Sequence, residues 1–167
     1  MPLTKLNSAS VIDRLPVGSV LQTDSGTIST LITNATATYE PTNIKANITP
    51  QLSTSKILIH ADINGMHANT QLSAIGFAIY QGIEGSSMSL LKVFNVVGAY
   101  THQNDSRIYG GSSSFNFITT SSIGNTNNNR FEIYFARVIG SGSVYINNYS
   151  TATNLTSSSI TVQEIKG

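Results

Sequence analysis

Short segments in which apolar side chains recur at every second position dominate this sequence. Between Lys56 and Ile63, Ile57, Ile59, Ala61 and Ile63 fall on one side, with Lys56, His60 and Asp62 on the other. Ile75, Phe77 and Ile79 alternate with Ala74, Gly76, Ala78 and Tyr80. Phe131, Ile133, Phe135 and Ile139 alternate with Arg130, Glu132 and Tyr134, and Phe115 and Phe117 share a side within Ser114–Thr119. A period of two puts successive side chains on opposite faces of a pleated strand, so each segment predicts a strand with one face on a core. A helix would need a period near 3.6, and the chain offers no long stretch of that kind.

Further strands are expected at Gly18–Thr23, Ile28–Thr33, Ile44–Ile48, Val144–Asn147 and Ile160–Glu164, where β-branched residues cluster. The punctuators between them are Asp24-Ser25-Gly26, Gly82–Ser87, Gly110-Gly111, Asn125–Asn129 and Gly140-Ser141-Gly142. Pro50 ends a strand because it cannot donate to a ladder. Gln51–Ser55 then reads as a polar turn, giving an antiparallel hairpin from Ile48 to Lys56. The segment around Leu90, Val93, Phe94 and Val97 reads as a strand or irregular edge, with a short helical turn as the alternative. Frequent short strands and turns are the signature of an all-β, antiparallel sandwich or barrel. Residues 1–16 alternate weakly and read as an N-terminal arm before a single domain at residues 17–167. Ends stay ordered only where something holds them, so this arm is expected to dock on the domain or on a partner.

Composition agrees. Only 10% of residues are charged against 40% hydrophobic, so the polar surface comes from Ser, Thr, Asn and Gly. Those residues compete with the helical backbone and favour turns and strand edges. The net charge of +1 supplies no field for nucleic acid or anionic lipid. Absence of cysteine excludes disulfides and thiolate metal sites. The first ten residues lack the regions of a signal peptide, so synthesis in a cytosol is expected, and no apolar run reaches the roughly 20 residues of a membrane helix. The Asn-x-Ser/Thr triplets at Asn34, Asn47, Asn104, Asn148 and Asn154 are expected to be unmodified.

No constellation singles out an enzyme. There is no Gly-x-Ser-x-Gly elbow, no phosphate-binding Gly-Lys-Ser/Thr and no marked carboxylate pair. No catalytic residue, cofactor or metal is therefore expected. His60 and Asp62 share a strand face, but zinc needs three or four ligands. A threefold axis gathering three copies of His60 or His67 would be the only route to a metal site. Tyr100, His102, Arg107 and Tyr109 lie in a polar, turn-rich segment and are candidates for an interface or a receptor contact, since Tyr and Arg are enriched at hot spots. Arg137 joins them: it falls on the Phe131/Ile133/Phe135 face, where a charge must leave the core or meet a carboxylate such as Glu164.

Two stretches carry a resemblance. LPVGSVLQT (Leu15–Thr23) followed by NITPQLSTSKILIHADI (Asn47–Ile63) resembles the opening of small virion structural proteins of tailed phages. The end, SGSVYINNYSTATNLTSSSITVQEIKG, resembles their closing strands. The resemblance implies a jelly-roll akin to tumour-necrosis-factor and complement-C1q domains, usually trimeric, serving as capsid decoration, minor capsid protein, fibre or tail appendage. It implies a location in the virion, with the arm tethering other virion proteins. Phage fibres carry a long shaft before the head domain, so the short arm points to a decoration or minor capsid subunit. The alternative function is a receptor-binding, carbohydrate-binding module at a tail tip or fibre end, with a host surface glycan as partner.

Overall fold

The computed structural model describes residues 9–70, 73–98, 111–147 and 156–167. They form one short helix, α1 (Ala9–Arg14), and ten strands: β1 (Val20–Ile28), β2 (Ile32–Asn34), β3 (Glu40–Ile48), β4 (Lys56–Ala68), β5 (Ala74–Ile83), β6 (Ser89–Gly98), β7 (Gly111–Ile118), β8 (Asn129–Ile139), β9 (Val144–Ile146) and β10 (Ser158–Ile165). All pairings are antiparallel. One sheet runs β1-β10-β4-β9-β2, with β7 also paired to β4; the other runs β3-β8-β5-β6. The chain changes sheet between β2 and β3, β3 and β4, β4 and β5, β6 and β7, β7 and β8, and β8 and β9, while β5–β6 is a hairpin. This interleaving is an antiparallel β-sandwich of jelly-roll type.

The alternation lies where the periodicity places it. Ile57, Ile59, Ala61 and Ile63 of β4 and Ile160 and Val162 of β10 are fully buried, and so are Phe77 and Ile79 of β5 and Phe131, Ile133 and Phe135 of β8. Together with Ile44, Ala46 and Ile48 of β3 they form one core between the sheets. Each such Ile or Phe contributes roughly 1.5–3 kcal/mol on leaving water, so these strands carry most of the fold's stabilisation. In β5 both faces are buried from Ala74 to Ile79, which marks it as a central strand between β8 and β6. The ambiguous segment at Leu90–Val97 is strand, not helix.

Several expectations are corrected. Ile48 and Lys56 do not flank a hairpin: β3 and β4 belong to opposite sheets, and Thr49–Ser55 bridges them. Asp24-Ser25-Gly26 is no turn but the middle of β1. There the Asp24 carboxylate accepts the Asn47 N–H of β3 at 2.9 Å, and a Cβ on Gly26 would sit 1.8 Å from the Lys45 carbonyl oxygen. Gly26 is present because two backbones from different sheets nearly touch. The expected strand Ile28–Thr33 is divided between the end of β1 and β2. Gly82 and Gly111 lie inside strands, and Ile139 is 55% exposed because β8 shifts register near its end. In β10 the core-facing position falls to Glu164, leaving Ile165 half-buried on the other side.

At one end, α1 lies against the last residues of the chain. Ile12 is buried, and Lys166 Nζ donates to the carbonyls of Ile12, Asp13 and Leu15 at 2.9, 3.1 and 2.7 Å. A lysine at a helix C-terminus satisfies carbonyls that have no partner within the helix. The earlier part of the expected arm, residues 1–8, lies outside the described residues.

Candidate contact surfaces and a trough

The outer face of the larger sheet is a regular grid. Strand register aligns four side chains on each of three rungs across β1, β10, β4 and β7. The rungs are Thr27–Ser159–Asp62–Ser114, Ser25–Thr161–His60–Asn116 and Thr23–Gln163–Leu58–Ile118. The β1 and β7 members are exposed and the middle ones half-buried. Ten of the twelve cannot ionise near neutral pH, and His60 and Asp62 are paired to each other.

That pair centres a polar network on the grid, and Gln163 Nε2 donates to Thr23 Oγ1 at 3.4 Å on another rung. His60 Nε2 lies 2.9 Å from Asp62 Oδ2 and Nδ1 lies 2.5 Å from Asn116 Oδ1. Ser114 Oγ donates to the other carboxylate oxygen of Asp62. An imidazole facing an acceptor at each nitrogen holds its proton more firmly. The Asn116 carbonyl raises the His60 pKa above the usual 6.5; burial opposes it, and Asp62 adds to the rise by its hydrogen bond and its charge. The Ser114 hydroxyl, then His60, lowers that of Asp62. The order Ser–Asp–His–Asn differs from a nucleophilic triad, in which the hydroxyl bonds to the imidazole. Among the described residues no group of three or more His, Asp or Glu side chains is placed to hold a metal.

The outer face of the smaller sheet is aromatic. Tyr80 of β5 and Tyr134 of β8 stack with centroids 4.0 Å apart. Burial, then the charge of Glu132, raises the pKa of Tyr134; burial, then Tyr80, raises that of Tyr39. Glu132 is itself buried, accepts the Asn43 N–H at 3.0 Å and lies 3.5 Å from Arg130 Nε.

A trough opens at one end of the sandwich. Two adjoining hollows of about 290 and 160 Å³ share Gln81 and Leu91. The first is walled by the β5–β6 hairpin with Asn125 and Asn129, the second by Thr119–Ile123 after β7. None of their lining residues is ionisable. Their carboxamides are fixed by neighbours: Asn125 Oδ1 accepts from Asn127 N and Asn129 Nδ2, both at 2.9 Å, and Gln81 Nε2 reaches Asn129 Oδ1 at 3.3 Å.

Of the contact residues expected from sequence, Tyr100, His102, Arg107 and Tyr109 lie outside the described residues. Arg137 is half-buried near the end of β8 and donates through Nη1 to the Gly142 carbonyl, closing the turn into β9. Within the chain it does not meet Glu164. That carboxylate is fully buried elsewhere, with Oε1 accepting from Gln51 N, Leu52 N and Ser55 Oγ at 2.8, 3.1 and 2.7 Å, and Oε2 from Gln22 Nε2 at 2.7 Å. His67 is likewise no candidate for a symmetric metal site: it is buried, its ring stacked on Tyr145 at 4.5 Å. The grid was missed as a surface because its rungs exist only once the partners of β4 are known. The trough was missed because Gln, Asn, Ser and Thr are too common in this chain to mark a position.

No family model and no curated protein matches the chain. Among solved structures it is similar to Eiger TNF from S. frugiperda, with 9% identity, a TM-score of 0.49, and coverage of 86% of this chain and 91% of that one. It is similar to the protein of T=1 particles derived from infectious bursal virus, with 12% identity and a TM-score of 0.48. All of this chain is covered there, but only 41% of the other. A third likeness is to the CBM22-1 xylan-binding domain of Xyn10C from Paenibacillus barcinonensis, with 9% identity, a TM-score of 0.38, and coverage of 92% and 99%. Scores below 0.5 carry no functional assignment. The jelly-roll stands on its own strand order.

Proposed function

We propose that this chain is a structural virion protein, a capsid decoration, minor capsid or fibre subunit, which works by protein–protein contact and self-associates as a homotrimer. The observation that carries the reading is the grid on the larger sheet. Its short Ser, Thr and Asn side chains lose little rotamer freedom on burial, and its one charged pair is already internally matched. Interfaces are depleted in Lys, Glu and Asp at their centres for the same reason, the cost of desolvating them. Leu58 and Ile118 add an apolar rung at one end, with Ile118 47% exposed. The resemblance of both ends of the domain to phage virion proteins supports the virion location, and α1 docked beside Lys166 suits a tether to another virion protein. The chemistry is binding, not catalysis. Low-resolution imaging of intact particles carrying a labelled chain tests this: threefold-symmetric density at head or tail is expected, and particles lacking the protein would contradict it.

A second reading, a carbohydrate-binding module at a tail tip or fibre end, draws on the uncharged trough.

A further inference from the structure

We infer that the trough at the β5–β6 end of the sandwich is a binding site for a neutral oligosaccharide. The inference rests on, and deepens, the carbohydrate-binding reading, and is independent of self-association. Three observations combine. First, the hollows of about 290 and 160 Å³ adjoin through Gln81 and Leu91, making a site longer than one sugar ring. Second, the polar lining consists of carboxamides and hydroxyls, each able to donate and accept, as sugar hydroxyls do. Leu91 and Ile123 supply apolar surface for the C–H face of a ring. Third, the amides are set in advance. Asn129 is buried and locked to Asn125, Asn127 and Gln81. A site whose polar groups need no rearrangement spends less free energy on ordering when the ligand arrives.

Charge decides the ligand class. Arg130, whose neighbour Asn129 lines the trough, is engaged with two carboxylates: its Nη1 lies 3.7 Å from Glu84 Oε1 and its Nε 3.5 Å from Glu132 Oε2. Among the described residues no lysine, arginine or histidine lines the trough to favour a sialylated, sulfated or uronic chain. A neutral hexose or pentose polymer fits.

The test is a nuclear magnetic resonance titration of the isotope-labelled full chain. The probes are hexasaccharides of β-1,4-linked xylose, glucose and mannose, with a galacturonic acid hexamer as the anionic comparison. At least one neutral probe is expected to shift amides of Gln81, Leu91, Ser121–Ile123 and Asn129, and the anionic probe is expected to leave them unmoved. Gln81→Leu and, separately, the exposed Thr120→Val should each weaken the neutral probe by about tenfold, the worth of roughly one hydrogen bond. Thr120→Val keeps the test decisive if Gln81→Leu disturbs folding. Shifts confined to another surface would overturn the trough while leaving the carbohydrate reading standing. No shift with any probe would overturn both, and equal response to the galacturonic acid hexamer would overturn the argument from charge.

Discussion

Replacing Glu164 by Gln changes one atom's chemistry at the most heavily bonded carboxylate of the described fold. Glu164 Oε1 gathers two backbone N–H groups and a hydroxyl from the Gln51–Ser55 bridge, fastening that bridge to β10. Its Oε2 takes the Gln22 amide of β1, which also donates to the Thr49 carbonyl at 2.5 Å. In Glu164→Gln the new carboxamide oxygen can keep the three bridge donors, now without charge assistance. The new NH₂ then faces another NH₂. Turning Gln22 over would relieve that clash but aim its carbonyl at Thr49. Bonds to a charged acceptor contribute about 1.5–3 kcal/mol each and neutral ones about 0.5–1.5. Three bonds weakened by about 1–1.5 kcal/mol each and one of about 1.5–3 kcal/mol broken therefore cost about 4.5–7.5 kcal/mol. For a chain of 167 residues that lowers Tm by roughly 15–20 °C. Chemical denaturation followed by circular dichroism measures the loss directly, and Glu164→Ala should lose more, since it also leaves a cavity. A Glu164→Gln protein within about 1 kcal/mol of the parent, less than a single buried bond to a charge, would refute the reasoning.

The other expectations are briefer. The raised pKa of His60 means that its contribution is fully present below about pH 6.5 and is lost as pH rises through the folded-state value. The lowered pKa of Asp62 means that its contribution is present above about pH 4 and is lost as pH falls through its own folded-state value, so the pair is firmest between those limits. The imidazole proton resonances of His60 should titrate above 6.5, and Asn116→Ala should move that midpoint down; a midpoint at or below 6.5 would count against the network. Gly26→Val should cost about 3 kcal/mol or more in denaturant, since its side chain would collide with the Lys45 backbone; unchanged stability would mean that β1 does not approach β3. Lys166→Met removes the cap on α1 and should leave Tm within a few degrees while making the Arg14 peptide bond readily cleaved by trypsin. Equal cleavage rates would argue against the docked helix.

The sequence carried the faces of the strands well. Ile57, Ile59, Ile63, Phe77 and Phe131 point inward because alternation and burial are the same fact seen twice. It did not carry the pairing. Ile48 and Ile57 both face the core, but periodicity does not distinguish two strands of one sheet from two strands on opposite sheets. The Thr49–Ser55 bridge is held by a carboxylate more than 100 residues away, which no local pattern reveals. Gly26 looked like a turn for the reason it is a contact, since a missing Cβ serves either purpose. Of the contact candidates, Arg137 was legible as a charge out of place on an apolar face, but its partner is a backbone carbonyl, and carbonyls leave no trace in a side-chain pattern. The His60–Asp62 pairing was visible two residues apart, whereas Asn116 and Ser114 joined it only through the register of β7.

Light scattering on the purified chain, with and without Thr161→Arg at the middle of the grid, tests self-association most directly. The parent should have three times the mass of one chain, and Thr161→Arg should have the mass of one with its β spectrum intact. A parent that stays a monomer at high concentration, or a Thr161→Arg trimer as tight as the parent's, would contradict the account.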